Sequence, residues 1–458
     1  MSYFKKDSVK YFENIMKENA LNIPLKDKFF VSGYIPFINN GKDIFPFISI
    51  MDALKDIKIP FNIDDLVDIY CGYMWIFFVT KYNVYISYTK EEQSNIILCF
   101  ENLLYPKDII LSPTLYVKKI ASGCDHSMIL LSDGTLFALG KNTHGQLGII
   151  SDNSEQFMIN PAIISKDNFA NQNIIDVVCG YYHTLVLTND GTLYVTGRNT
   201  ESQIGQPANK NLYKFEKITY ADENDNIHQY SGDKCLAMDP TPGFAIKKIA
   251  SSSHNSFFLT HNGILYGTGD KRFNSMGNRV NATFKAIQIP DIIDQLIVDI
   301  WCTSLATFIK LDNGNIFMVG SNRDNAMFTN DSCVEEFKLN KYLSNKSIIQ
   351  MRGLYSTIAL SDNDHNIYVS GYNYIRQLMN TEQKNVISEH NLELSRILQK
   401  YPNTNINIQS GFRACSISFR GGEDRYTKYI CHMIYCLYKS IYNNDSHLSD
   451  IDTYCVSD

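Results

Sequence analysis

Val177-Val-Cys-Gly-Tyr-Tyr-His-Thr-Leu-Val-Leu-Thr-Asn-Asp-Gly-Thr-Leu-Tyr-Val-Thr-Gly197 restates, in the same order of residue types, the earlier stretch Ile120-Ala-Ser-Gly-Cys-Asp-His-Ser-Met-Ile-Leu-Leu-Ser-Asp-Gly-Thr-Leu-Phe-Ala-Leu-Gly140. Each copy is an apolar run, a Gly, two variable residues, a His followed by Ser or Thr, a second apolar run, an Asp-Gly pair, and a third apolar run ending in Gly. Apolar and β-branched runs of about five residues are strand-like. Asp-Gly marks a tight hairpin because the turn needs positive φ angles. The unit therefore predicts three antiparallel strands with short connections.

Fainter copies run over 249–269, 300–320 and 350–371, with turns at Asn262-Gly263, Asn313-Gly314 and the longer Asn363-Asp364-His365. A degenerate copy spans Ile69 to Tyr88, keeping Cys71-Gly72 but placing Trp75 in the His slot, and a partial last copy starts at Ile406 with Ser410-Gly411. Strand ends at 33, 88, 140, 197, 269, 320 and 371 lie 51 to 72 residues apart. A strand-and-hairpin unit of this length cannot bury both its faces alone, so units stack around an axis. The expected fold class is all-β, a seven-bladed β-propeller with short flanking helices.

The last copy runs out after Ser416-Ile-Ser-Phe-Arg420, where Gly421-Gly422-Glu-Asp-Arg stands in place of a hairpin. Phe29-Phe-Val-Ser-Gly-Tyr34 nearly repeats Ile367-Tyr-Val-Ser-Gly-Tyr372 from the outer half of the sixth copy. The N-terminal strand, residues 28–34, is therefore expected to complete the last blade and remove an open sheet edge. Around the propeller, residues 28–420, the sequence predicts an N-terminal helical segment (1–27) and a C-terminal helix with a polar tail (421–458). Val9, Phe12, Ile15 and Met16 share one helical face, as do Ile430, Ile434, Leu437 and Ile441. The insertion from Gln206 to about Phe244 reads as a long loop, either functional or decorative.

Forty-four per cent hydrophobic residues supply ample core, and a net charge of −6 argues against direct nucleic-acid binding, which depends on Lys and Arg meeting phosphates. No apolar run approaches the length of a membrane span, and the expected location is intracellular, cytoplasmic or nuclear. The eleven Cys show no CxxC or zinc-type spacing, so reduced thiols are expected and no metal site. No phosphate-binding loop, HExxH, GxSxG or dinucleotide fingerprint is present, so no catalytic residue and no cofactor are expected.

The unit Cys-Gly-x-x-His-[Ser/Thr]-x-x-Leu…Asp-Gly-x-Leu-[Phe/Tyr]-x-x-Gly, continued by Asn142-Thr-His-Gly145-Gln-Leu-Gly148, resembles the repeat of the regulator of chromosome condensation family. The resemblance covers roughly residues 28 to 420. It weakens in later copies, where Asn325-Ala-Met-Phe328 and Arg376-Gln-Leu-Met379 replace the Gly-Gln-Leu-Gly segment. WD40 and kelch propellers fit worse, given two Trp and the single Gly-Gly pair. The family implies a seven-bladed propeller, a protein partner such as a small GTPase or a chromatin protein, and, from its founding member, guanine-nucleotide exchange on a Ran-like GTPase. Neither Trp75 nor Trp301 occupies the loop slots that are Trp-rich in the family's plant ultraviolet photoreceptor, which argues against photoreception. The segment 437–451 is faintly similar to the entry of a BTB domain; an ordinary polar tail is the favoured reading, and a BTB-linked or ubiquitin-pathway adaptor a weaker one.

His126 and His183 share one repeat slot, so hydrogen bonding to backbone at the inner-strand turn is expected rather than catalysis or metal binding. Cys71, Cys179 and Cys302 share another slot with Ser122, Ser251 and Ser410, as small side chains packed near the axis would. Arg352 is read as reaching along a channel to water in preference to holding an anion. The two variable residues before the His slot should gather on one face of the ring. Those of interest are Tyr73, Met74, Asp125, Tyr181, Tyr182, His254, Tyr355, Phe412 and Arg413, types enriched at interface cores and hot spots. They are the candidate partner-binding residues of a non-enzymatic protein-interaction scaffold, with the exchange factor as the alternative.

Overall fold

The computed structural model describes residues 29–34, 44–49, 59–72, 75–92, 95–104, 109–150, 158–206, 210–221, 226–229, 245–277, 279–292, 294–323, 325–344, 346–353, 356–361, 367–371, 386–390, 405–410 and 414–420. The segments 8–20 and 427–441, expected to be helical, lie outside them. Among the described residues the longer elements are all strands, and they form seven sheets, the blades of a β-propeller.

One repeat shows how the sequence builds a blade. In the second sheet, Val117–Ser122, His126–Leu131, Leu136–Gly140 and Met158–Ile163 pair antiparallel in succession. The hairpin at Asp133-Gly134 needs positive φ only at the glycine, which sits at 83°. Asp133 contributes its side chain, Oδ1 accepting from the Thr135 amide at 2.9 Å, a local mimic of a backbone turn. The expectation that both turn residues take positive φ is thereby corrected. The terminal glycine has a harder constraint. Gly197 has φ 108°, and a Cβ there would lie 2.5 Å from the Tyr182 carbonyl oxygen; Gly140 stands in the same relation to Asp125, at 2.3 Å.

Cores form between blades. The middle strand Asn255–Thr260 of the fourth sheet is buried along its whole length. Phe257 and Leu259 pack with Ile300, Ile309 and Phe317 of the fifth sheet, whereas Phe258 packs with Leu185, Leu187 and Val195 of the third. Period-two alternation thus sends neighbouring residues into two different cores. At roughly 1.5–3 kcal/mol per buried large apolar side chain, each interface is a major stabilising contribution.

The seventh sheet has the order Ile44–Ser49, Phe29–Tyr34, Ala414–Arg420, Asn405–Ser410. Phe29–Tyr34 pairs antiparallel with Ala414–Arg420 from Phe29 opposite Ser418 to Gly33 opposite Ala414. The innermost strand of this sheet, Asn405–Ser410, neighbours both Ile348–Gly353 of the sixth sheet and Leu66–Cys71 of the first. The strand Ile44–Ser49 had no counterpart in the sequence reading.

Among the described residues of the insertion after Gln206, where a long loop was expected, there are three strands. Leu212–Lys217 is the outermost strand of the third sheet. Thr219–Ala221 and Ile227–Gln229 form a hairpin that extends the fourth sheet to six strands, Tyr220 pairing parallel with Phe284.

Candidate functional site

In the second, third and fifth blades the loop between the first and second strands is fastened by main-chain atoms. The Asp125 carbonyl accepts from the Lys141 amide at 2.7 Å, Tyr182 from Arg198 at 2.8 Å, and Leu305 from Ser321 at 3.0 Å. Successive loops are then tied to one another: Cys124 N–H donates to the Tyr181 carbonyl (3.0 Å), Tyr181 to Ser253 (3.3 Å), and Ser253 to Ser304 (3.3 Å). This belt runs from the second blade to the fifth along one mouth of a central channel of about 470 Å³.

The Gly-x-x-His spacing belongs to the same construction. A Cβ at Gly180 would fall 1.9 Å from Cε1 of His183, so the glycine makes room for the ring. Both slot histidines are fully buried, and burial pushes each down to about 3. They do not serve the inner-strand turn as expected. His126 Nε2 meets Thr184 Oγ1 at 3.0 Å and His183 Nε2 meets Ser256 Oγ at 3.0 Å, each in the next blade. The thiols of Cys179 and Cys302 are pushed up to about 12 by burial, which leaves them protonated and unreactive. Among the described residues no cluster of three His, Cys, Asp or Glu is placed to hold a metal ion.

On this face a chain of rings crosses three blades. His144 meets Tyr182 edge-on at 5.1 Å between ring centres; Tyr182 meets Tyr181 at 6.1 Å; Tyr181 meets His254 at 5.8 Å; His254 stacks on Phe273 at 5.7 Å and 14°. Offset and edge-to-face arrangements at such separations are favourable for aromatic quadrupoles. Arg198 lies 5.8 Å from the Tyr182 ring centre and bonds Glu201 at 2.7 Å. Asp125 accepts from the Gln146 side chain at 3.0 Å, and burial raises its carboxyl. The Tyr182 hydroxyl, hydrogen-bonded to the Cys124 thiol, is pushed up to about 12, first by burial and then by Cys124 and Asp125, against Arg198.

The structure therefore brings together Asp125, Tyr181, Tyr182 and His254. Tyr181 and Tyr182 are half-buried, and His254 is buried between Tyr181 and Phe273. Tyr73, Met74, Tyr355, Phe412 and Arg413 lie outside the described residues. The sequence reading missed His144, Arg198, Glu201 and Phe273. All four follow a strand-ending glycine by one to four residues (Gly140, Gly197, Gly269), a position that repeat alignment could have marked.

Comparison with known proteins agrees with the repeat. The family model described as the regulator of chromosome condensation (RCC1) repeat matches residues 117–146 and 174–203, and a second model of the same description matches 133–187. An RCC1 repeat-containing protein of Dictyostelium discoideum is 27% identical over 224 residues, 48% of this chain and 42% of that protein. The guanine nucleotide exchange factor SRM1 of Saccharomyces cerevisiae is 32% identical over 158 residues, 34% of this chain and 30% of that protein. The match thus spans less than half of either relative. Among solved structures, yeast RCC1 (Prp20), determined bound to Kap60, has a TM-score of 0.59 at 14% identity, covering 89% of this chain and 91% of that one. At that identity the likeness concerns the fold.

Proposed function

Because the chain is a β-propeller carrying RCC1 repeats, we propose that it is a non-enzymatic protein-interaction scaffold whose partner docks on the face formed by the loops before the slot residues. The observation that carries this reading is the ring chain from His144 to Phe273 across the second, third and fourth blades. Half-buried tyrosines offer large contact area with few rotatable bonds, and the main-chain belt has already ordered their loops. Little conformational entropy remains to be lost on docking.

Affinity capture with the wild-type chain and with Tyr181→Ala/Tyr182→Ala tests this. The partner recovered by wild type is expected to be lost by the double variant at unchanged thermal stability. Recovery in equal yield would refute the proposed face. Similarity to a yeast exchange factor favours one second reading, guanine-nucleotide exchange on a Ran-like or other small GTPase. A fluorescent-nucleotide release assay decides it: acceleration by orders of magnitude replaces the scaffold reading, and its absence leaves that reading in place.

A further inference from the structure

The channel enclosed by the inner strands has a charge pattern that the aromatic face does not explain. The third residues of successive inner strands alternate, Asp68, Lys119, Asp176, Lys248, Asp299. A bulge precedes each, and the carboxylates of Asp68, Asp176 and Asp299 accept from the following amide. Lys119 bonds Asp176 in the next blade at 2.7 Å, and Lys248 bonds Asp299 in the next. These four charges neutralise one another in pairs. Arg352, from the inner strand of the sixth sheet, is a further cation, and its guanidinium donates to the carbonyl of its own neighbour Met351, at 3.0 Å.

Among the described channel-lining side chains four are cationic, Lys118, Lys119, Lys248 and Arg352, and one, Asp176, is anionic. Asp299 stands behind Lys248; Asp68 is buried outside this lining. The described lining is therefore positive in a protein whose net charge is −6. Its walls are of low dielectric, which strengthens the field on any ion inside. Burial opposes the charge on Arg352, while Asp176 and Asp299 support it. Toward the belted mouth the loop residues Ser253 and Ser304 line the same channel, their side chains buried and their hydroxyls closed off from it.

We propose that the channel binds a small molecule bearing a phosphate or similar oxyanion, with Arg352 as its charge partner. The volume of about 470 Å³ exceeds what a lone phosphate fills and falls in the range of small-ligand sites, roughly 300–1,000 Å³. Guanidinium is the side chain best matched to phosphate oxygens.

Isothermal titration of the full chain at low ionic strength, with inorganic phosphate in one arm and glycerol 3-phosphate in the other, tests the proposal. One saturable site per chain is expected, with affinity lowered at least tenfold by Arg352→Met and unchanged by Lys338→Gln, an exposed residue of the fifth sheet. Tighter binding of the ester identifies a phosphorylated small molecule as the ligand class; equal binding identifies the free oxyanion. Should Arg352→Met not fold, the salt dependence of wild-type binding gives the decisive reading, since an anion held by a cation is released as sodium chloride is raised. Absence of saturable binding by wild type in both arms, or binding undiminished by Arg352→Met or by high salt, overturns the proposal.

Discussion

His126 Nε2 stands 3.0 Å from Thr184 Oγ1, and the contact joins the second blade to the third. Thr184 donates its own hydrogen to the Gln146 carbonyl at 2.7 Å, so its oxygen is left to accept and the histidine carries its proton on Nε2. His183 and Ser256 repeat the arrangement, with Ser256 donating to Gln203 at 2.5 Å. In the first blade Trp75 Nε1 donates to Ser127 Oγ at 2.9 Å. The slot residue of one blade thus meets the hydroxyl that follows the slot in the next.

These histidines make stability depend on acid. Both are held down to about 3 by burial, against 6.5 unfolded. Between those values the unfolded chain binds protons that the folded chain refuses, so stability is full above about pH 6.5 and falls as pH drops toward 3. The slope is about 1.4 kcal/mol per pH unit per histidine as an upper bound. Urea unfolding at pH 7.5, 6 and 5 should show it. Substituting Asn, the residue that fills the slot at 255, for both His126 and His183 should flatten it, and an unaltered slope would count against this account.

Thr184→Val keeps the shape of the side chain but strands both the Gln146 carbonyl and His126 Nε2. A loss of about 1–3 kcal/mol is expected, since buried polar groups without partners are costly. The lowered denaturant midpoint should come with an unchanged slope, because the surface exposed on unfolding is the same.

Gly197→Ala tests the blade's terminal glycine. At φ 108° an alanine is strained by about 1–3 kcal/mol. Its Cβ would also press on the Tyr182 carbonyl from 2.5 Å. A depressed melting temperature should therefore be accompanied by weakened partner capture. Unchanged stability would show that the strand end can move aside.

Removal of residues 1–35 deletes the strand Phe29–Tyr34 and leaves Ala414–Arg420 with an unpaired edge. If the N-terminal strand closes the ring, the shortened chain should melt many degrees lower and over a broader range. A wild-type cooperative transition after the deletion would sink ring closure by that strand.

The propeller was legible because its constraints are local and repeated. Asp133-Gly134, the Gly180-to-His183 spacing and the alternation around Phe257 and Phe258 each recur in several copies, so a backbone requirement appears as a pattern. Tyr181, Tyr182 and His254 could be placed on one face for the same reason. Phe273 was overlooked although it follows Gly269 as His144 follows Gly140, because the segment around it is otherwise unlike its counterparts and the spacing does not reveal the positive φ of 62° that orients it. The Lys119–Asp176 and Lys248–Asp299 bridges were hidden differently. Their residues are 57 and 51 positions apart, and only stacking of blades makes them neighbours. The slot histidine was assigned to its own turn because its partner, too, is one blade away.

The belt that links Cys124, Tyr181, Ser253 and Ser304 uses amides and carbonyls alone. What side chain each tip displays is consequently uncoupled from where the tip sits. Cysteine, tyrosine and two serines already occupy equivalent stations, so the rim can exchange its vocabulary without rewriting its syntax. At the half-buried stations Cys124 and Tyr181 a new recognition specificity can arise by single substitutions, and a library randomised there should yield folded members at high frequency, whereas the buried stations Ser253 and Ser304 admit only small side chains.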